Sequence, residues 1–172
     1  MALPDISKRF HFPPLRTQGG ITYKEASGEL GVPGQVMTHR SVYAQTQVSR
    51  HTGEHAGHLI GIQFGAPGGL ENLGVQNPNM NTFAPKGLQE AFRGPGGSYH
   101  DLESRWSDLL KHGSRITVKI VDKYRQGENR PFTRTVSWSE TTPQGMTRQM
   151  PTIDFGNFGS PQQRAAAAKW GN

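Results

Sequence analysis

The chain has 172 residues, of which 22 are glycine and 12 are proline, while hydrophobic residues make up 33%. This composition fits one domain with a modest core and excludes a helical bundle. The net charge of +6 suits either an ordinary basic protein or one that binds a polyanion, and the absence of cysteine excludes disulfides, thiolate zinc sites and a cysteine nucleophile.

The first half of the chain contains few clear elements. Residues 1–33 hold several Pro and Gly pairs and are expected to form an irregular N-terminal segment. Residues 34–48 (GQVMTHRSVYAQTQV) and 58–64 (HLIGIQF) each predict a strand. The polar residues 71–81, rich in Asn and Gly, and the following residues up to 97 predict a long loop. No apolar run is long enough to span a bilayer, and the first residues predict no signal peptide.

The second half contains the clearest elements. Residues 98–112 place apolar side chains at helical spacing, with Ser98 and Asp101 as a capping box and Gly113 as the stop. Residues 115–124 and 132–140 alternate in polarity around a short polar loop and predict a hairpin. We therefore expect an α+β fold with a small antiparallel sheet and one main helix over residues 34–145, followed by an irregular tail over 146–172.

Three histidines, His51, His55 and His58, fall within eight residues, and three interpretations are open. His51, Glu54 and His55 match the H-x-x-E-H pattern of some zinc peptidases, but that chemistry needs a helix, and a glycine lies inside the motif. Histidines near glycine in a loop often have only a structural role. The third interpretation uses His58 together with the Asn-rich loop that follows.

That third arrangement suits a phosphodiesterase with one metal ion. A histidine at a strand end can be held so that its free nitrogen takes a proton from an attacking water. An asparagine amide oxygen is a hard ligand for Mg²⁺, and its neutrality leaves the full charge of the ion for the transition state. Few protein ligands are needed, so the signal in the sequence is short.

Four spaced segments carry a family resemblance: 55–60 (HAGHLI), 63–68 (QFGAPG), 71–73 (ENL) and 76–81 (QNPNMN). They resemble the DNA/RNA non-specific endonucleases, which are ββα-metal or His-Me finger nucleases. The resemblance implies a ββα-metal core, His58 as the general base and Asn81 as the ligand of Mg²⁺, with Mn²⁺ as a substitute metal. Asn79 is the alternative ligand.

The resemblance also assigns supporting residues. Asn72 and Gln76 match the loop residues that orient the site, and Asn72 is a further candidate at the metal. Residues 97–103 (GSYHDLE) resemble the helix after the metal asparagine, which implies that Glu103 lies near the metal-bound waters. The chain departs from the family where His55 replaces the bracing Asp, Ala56 replaces an Arg, and residues 82–96 add length before the helix.

A nuclease of this class also needs a cation near the scissile phosphate. Arg40 is the first candidate, and Arg50, Arg130 and Lys119 are weaker ones; each could instead be a solvated surface side chain. Arg40, Arg50 and Arg130 are also the candidates for contacts with nucleic acid. Trp106 and Trp138 fit core positions and are expected to pack rather than stack on bases.

The sequence thus predicts a Mg²⁺-dependent endonuclease without sequence specificity that acts on DNA; RNA is chemically possible as well, since no 2′-hydroxyl is used, and the preference between the two is left open. The resemblance further suggests the toxin domain of a bacterial secreted effector, acting in the target-cell cytoplasm and neutralised by an acidic immunity protein, with no membrane partner. Two alternatives stay open: a zinc metallopeptidase that uses His51, Glu54 and His55, and a non-catalytic nucleic-acid-binding domain.

Overall fold

The computed structural model describes residues 2–41, 44–45, 55–76, 97–128 and 130–156. Within these ranges the strands and the long helix are β1 (Arg16–Gln18), β2 (Ile21–Glu29), β3 (His55–His58), β4 (Leu73–Gln76), α1 (Tyr99–Lys111), β5 (Arg115–Arg125), β6 (Pro131–Thr141), β7 (Thr147–Gln149) and β8 (Ile153–Gly156). This mixture confirms the predicted α+β class. None of the helices in the same ranges is long and apolar enough to cross a membrane.

The strands form two antiparallel sheets. The larger sheet has the order β1-β2-β5-β6-β7, with β8 also paired to β6, and the smaller one consists of β3 and β4. Strands β2 and β5 are hydrogen-bonded neighbours although β3, β4 and α1 lie between them in the chain. The small sheet and the helix therefore form one long excursion from the larger sheet.

Helix α1 and the β5–β6 hairpin confirm the predictions for the second half. The Ser98 hydroxyl accepts from the backbone N–H of Asp101, whose carboxylate accepts from the N–H of Ser98, so the capping box is complete. Gly113 ends the helix with a φ of +97°, a conformation that favours glycine.

The core lies between α1 and the inner face of the larger sheet. Alternate residues of β5 are buried, and Trp106 of α1 meets Trp138 of β6 edge to face at 5.9 Å. Both tryptophans are fully or almost fully buried, which confirms their predicted packing role. The inward-facing side chains of β5 and β6 thus pack against the helix of the excursion.

The prediction of little regular structure in residues 1–33 is wrong, because β2 pairs with β5 over nine residues. Its inner face includes a lysine and a glycine instead of an apolar run, so the local pattern is weak and long-range pairing supplies the strand. The tail after residue 146 likewise contains β7 and β8, which pair with β6.

Three local predictions before the helix are also wrong. The described part of the strand predicted at 34–48 has no strand, and residues 44–45 are helical. The strand predicted at 58–64 instead ends at His58, and Ile62–Phe64 forms a 3-10 turn. Residues Leu73–Gln76, predicted as loop, form β4, because pairing with β3 overrides their weak strand propensity.

Candidate active site

His58 is the last residue of β3 and is paired in register with Leu73 of β4. The next two residues, Leu59 and Ile60, are completely buried, whereas the His58 side chain is half-buried. The chain is therefore anchored in the core directly after His58, and the imidazole lies at the boundary between the core and the surface.

The surroundings of His58 keep its ring uncharged. Burial, together with the nearby positive charges of Arg40 and Arg134, lowers the pKa of His58 from 6.5 to about 4, and burial is the largest of these causes. At neutral pH the imidazole is then in the form that accepts a proton, as a general base requires.

Glu103 of α1 lies against the chain just after His58. Its carboxylate accepts a hydrogen bond from the backbone N–H of Gly61. Burial raises the pKa of Glu103 to about 7, while the positive charge of Arg134 and the bond from Gly61 act in the opposite direction. The structure thus brings Glu103 and the loop of His58 together.

Asn72 is completely buried, and its side chain is bonded to backbone. Its amide oxygen accepts from the N–H of Ile60 at 2.9 Å, and its amide nitrogen donates to the carbonyls of Ile60 and Pro67 at 2.7 and 2.8 Å. This geometry suits an orienting residue. It does not suit the direct metal contact considered from the sequence, because the oxygen is occupied and away from solvent.

A buried ion pair that was not predicted from the sequence lies under the site. The guanidinium of Arg134 holds the carboxylate of Asp122 through two bonds of 2.7 and 2.8 Å, and both side chains have no exposed surface. Arg134 also donates to the carbonyl of His58 at 3.1 Å. A signal was present, because Asp122 and Arg134 occupy core-facing positions of strands that alternate in polarity.

The side chains considered as the cation near the phosphate differ in their position relative to His58. Arg40 is exposed, acts electrostatically on His58 and donates to the side chain of Gln45 at 3.1 Å. Lys119 lies on the outer face of the larger sheet, where it pairs with Glu25 at 3.3 Å, so the weaker suggestion that it serves the site is wrong. Arg130 is half-buried next to the start of β6.

Several predicted residues lie outside the described residues: Arg50, His51, Glu54, Asn79 and Asn81. Their roles therefore stay predictions. His55 and Gln76 are paired with each other at the ends of β3 and β4, and the structure describes their backbone only. Because His55 belongs to a strand, it lacks the helical setting that the zinc peptidase motif needs.

The described part of the chain contains no cluster of three or more His, Asp or Glu side chains that could hold a metal ion. The donor type nevertheless fits a hard divalent cation that keeps most of its waters, since such a site needs only one or two protein oxygens. Glu103 is a carboxylate in a poorly solvated place, and a divalent cation beside it would compensate its charge.

The fold is shared with two solved nuclease structures. One is described as Sda1 nuclease with bound zinc ion; it is 13% identical, with a TM-score of 0.60 over 88% of this chain and 76% of that one. The other, an extracellular endonuclease, is 14% identical, with a TM-score of 0.51 over 92% of this chain and 84% of that one. A scan of protein-family models and a search of curated proteins gave no match.

Proposed function

We propose that the chain is a divalent-metal-dependent nuclease that hydrolyses phosphodiester bonds. The observation that carries the proposal is His58, a half-buried and uncharged imidazole fixed at the end of β3, with Glu103 beside the loop that follows it. The fold shared with an Sda1 nuclease and an extracellular endonuclease supports the same class of activity.

In the proposed reaction His58 takes the proton of a water as the water attacks phosphorus. The positive charge of Arg40 is near enough to act electrostatically on His58 and would offset the charge of the phosphate. Asn81 and Glu103 would hold Mg²⁺, or Mn²⁺ in its place, directly or through bound waters. When bound, the metal would stabilise the charge on the phosphate and on the departing 3′ oxygen.

The proposed substrate is the nucleic-acid backbone. His58 chemistry does not call on a 2′-hydroxyl, so both DNA and RNA fit, and the products would carry 5′-phosphates and 3′-hydroxyls. The net charge of +6 supports binding through phosphates, with Arg40, Arg50 and Arg130 as the proposed contacts and little sequence preference.

The proposed setting is a secreted bacterial effector that acts in the target-cell cytoplasm and is neutralised by an acidic immunity protein. The family resemblance and the basic charge support this part of the proposal. Expression of the wild-type chain inside a bacterium should stop growth, and expression of His58→Ala should not. Equal growth with both would contradict the setting.

The test of the activity itself is degradation of plasmid DNA and of total RNA with Mg²⁺, with EDTA, and with His58→Ala. We expect cleavage only by the wild type with metal, and a loss of at least about a hundredfold for His58→Ala, because a general base contributes on that order. His112→Ala is the matched control, since His112 lies at the far end of α1. Cleavage by His58→Ala at the wild-type rate would overturn the proposal, and binding without cleavage would favour a non-catalytic binding domain.

A further inference from the structure

Three charged side chains form a row across the inner face of the larger sheet. Lys24 of β2 is paired in register with Asp122 of β5, and Asp122 with Arg134 of β6. The Asp122 carboxylate is bonded to Arg134 and acts electrostatically on Lys24. One buried carboxylate therefore lies between two cations of neighbouring strands.

Each cation of this row holds one strand of the small sheet. Arg134 donates to the carbonyl of His58 at 3.1 Å, and Lys24 donates to the carbonyl of Leu73 at 2.6 Å and to that of Leu70 at 2.8 Å. His58 and Leu73 are paired with each other. The row thus fixes both members of the residue pair to which the proposed base belongs.

The backbone of the three residues after His58 is also fixed by hydrogen bonds. The Leu59 carbonyl accepts from the Tyr99 hydroxyl, and its N–H donates to the Asn72 carbonyl. Both backbone groups of Ile60 bond to the Asn72 side chain, and the Gly61 N–H donates to Glu103. Side chains from α1, β6 and the loop before β4 therefore fix the direction of the chain at His58.

The close contact between the sheets depends on a glycine. A Cβ atom on Gly74 would lie 3.2 Å from an Asp122 carboxylate oxygen and 3.4 Å from the Tyr124 hydroxyl. Burying ions is a poor way to gain stability, because their desolvation offsets most of the attraction, and apolar side chains would serve stability as well. The row instead gives the small sheet one fixed position.

We propose that Lys24, Asp122 and Arg134 are positioning residues that hold the His58 imidazole through its backbone and that of its strand partner. The inference rests on the proposed nuclease function. A base displaced by about 1 Å loses on the order of a hundredfold in rate, so such an arrangement has a measurable effect.

The test compares Lys24→Met with Lys119→Met, a lysine on the outer face of the same sheet that pairs with Glu25. We expect Lys24→Met to lower kcat by roughly ten- to a hundredfold with KM nearly unchanged, and Lys119→Met to leave kcat within about twofold. Arg134→Lys is a second variant, and Lys24→Met alone carries the test if Arg134→Lys does not fold. Unchanged kcat in folded Lys24→Met would overturn the proposal.

Chemical rescue separates positioning from a general structural effect. In a His58→Ala background, added imidazole supplies a base that the backbone does not hold, so adding Lys24→Met should lower the rescued rate by less than about twofold. If Lys24→Met lowered the rescued rate and the wild-type rate by the same factor, the result would contradict positioning of His58. The row would then act on the rest of the site and not on the imidazole.

A readout without catalysis separates this inference from the proposed function. With labelled histidine, the His58 ring should give one sharp set of NMR signals in the wild type and shifted or broadened signals in Lys24→Met, but not in Lys119→Met. This result with an inactive wild type would reject the nuclease and keep the positioning role. Unchanged His58 signals in Lys24→Met would reject the positioning role.

Discussion

The side chain of Asn72 forms hydrogen bonds with both the backbone N–H and the backbone carbonyl of Ile60. It thereby makes the two bonds that a neighbouring strand would make. This contact closes the loop that begins directly after His58. It makes Asn72 a bracing residue whose removal should be seen first in stability.

We expect Asn72→Ala to lower the free energy of unfolding by about 2–4 kcal/mol, because the N–H and carbonyl of Ile60 would be left buried without partners. Chemical denaturation with an unchanged m-value measures the effect. Gln126→Ala, which removes an exposed amide in the β5–β6 connection, is the control. A loss below about 0.5 kcal/mol would show that the bracing contacts are unimportant.

The depressed pKa of His58 predicts the acid side of the pH profile. The proposed base works when uncharged, so kcat/KM should stay level as the pH passes 6.5 and should fall by half only near pH 4. The two cations that act electrostatically on the ring, Arg40 and Arg134, both favour its neutral form. Arg40→Gln should therefore raise the pKa of His58, which NMR titration of the metal-free protein measures; an unchanged or lower pKa would contradict this.

The same shift affects stability. The folded state resists protonation of His58, whereas the unfolded state takes up a proton near pH 6.5, so stability is full above that pH and falls as the pH is lowered toward about 4. His58→Gln should flatten this part of the stability curve. Thermal unfolding at several pH values tests the expectation, and an unchanged slope would count against it.

Glu103→Gln tests the metal side of the proposal. The amide keeps the size of the side chain but removes its charge, so the Mg²⁺ concentration for half-maximal activity should rise about tenfold or more. Glu128→Gln, an exposed change in the β5–β6 connection, is the control. An unchanged metal requirement would place Glu103 outside the metal site.

Gly74→Ala tests the contact between the two sheets. The added methyl group would lie 3.2 Å from Asp122, so either the small sheet or the ion pair must move. We expect a destabilisation of about 1–3 kcal/mol together with a lower kcat. If a folded Gly74→Ala protein cut nucleic acid at the wild-type rate, close contact between the sheets would not be needed for activity.

The sequence predicted the elements whose signal is local. The capping box of Ser98 and Asp101, the stop at Gly113 and the alternation in β5 and β6 each lie within a few residues, and each is present in the structure. It did not predict β2 or β4, whose strand character comes from partners that are distant in the chain.

The residues of the candidate site also fall into a group that was predicted from the sequence and a group that was not. The resemblance singled out His58, Glu103 and Asn72, and the structure brings all three to the loop after β3. The supporting pair of Asp122 and Arg134 was not found, because two charged residues on separate strands show no motif until the strands are paired. Their core-facing positions in alternating strands were the available signal.

The pairing of β2 with β5 affects how far the connection between these two strands can vary in length. The excursion leaves β2 at Leu30 and returns at β5, and its two ends are tied together where the Leu30 N–H donates to the Ile116 carbonyl at 2.8 Å. Because the ends of a closed loop already meet, inserting residues far from the closure adds only a logarithmic entropic penalty. We therefore expect that homologues can lengthen or shorten the stretch between β4 and α1 without a change in the strand register of the larger sheet.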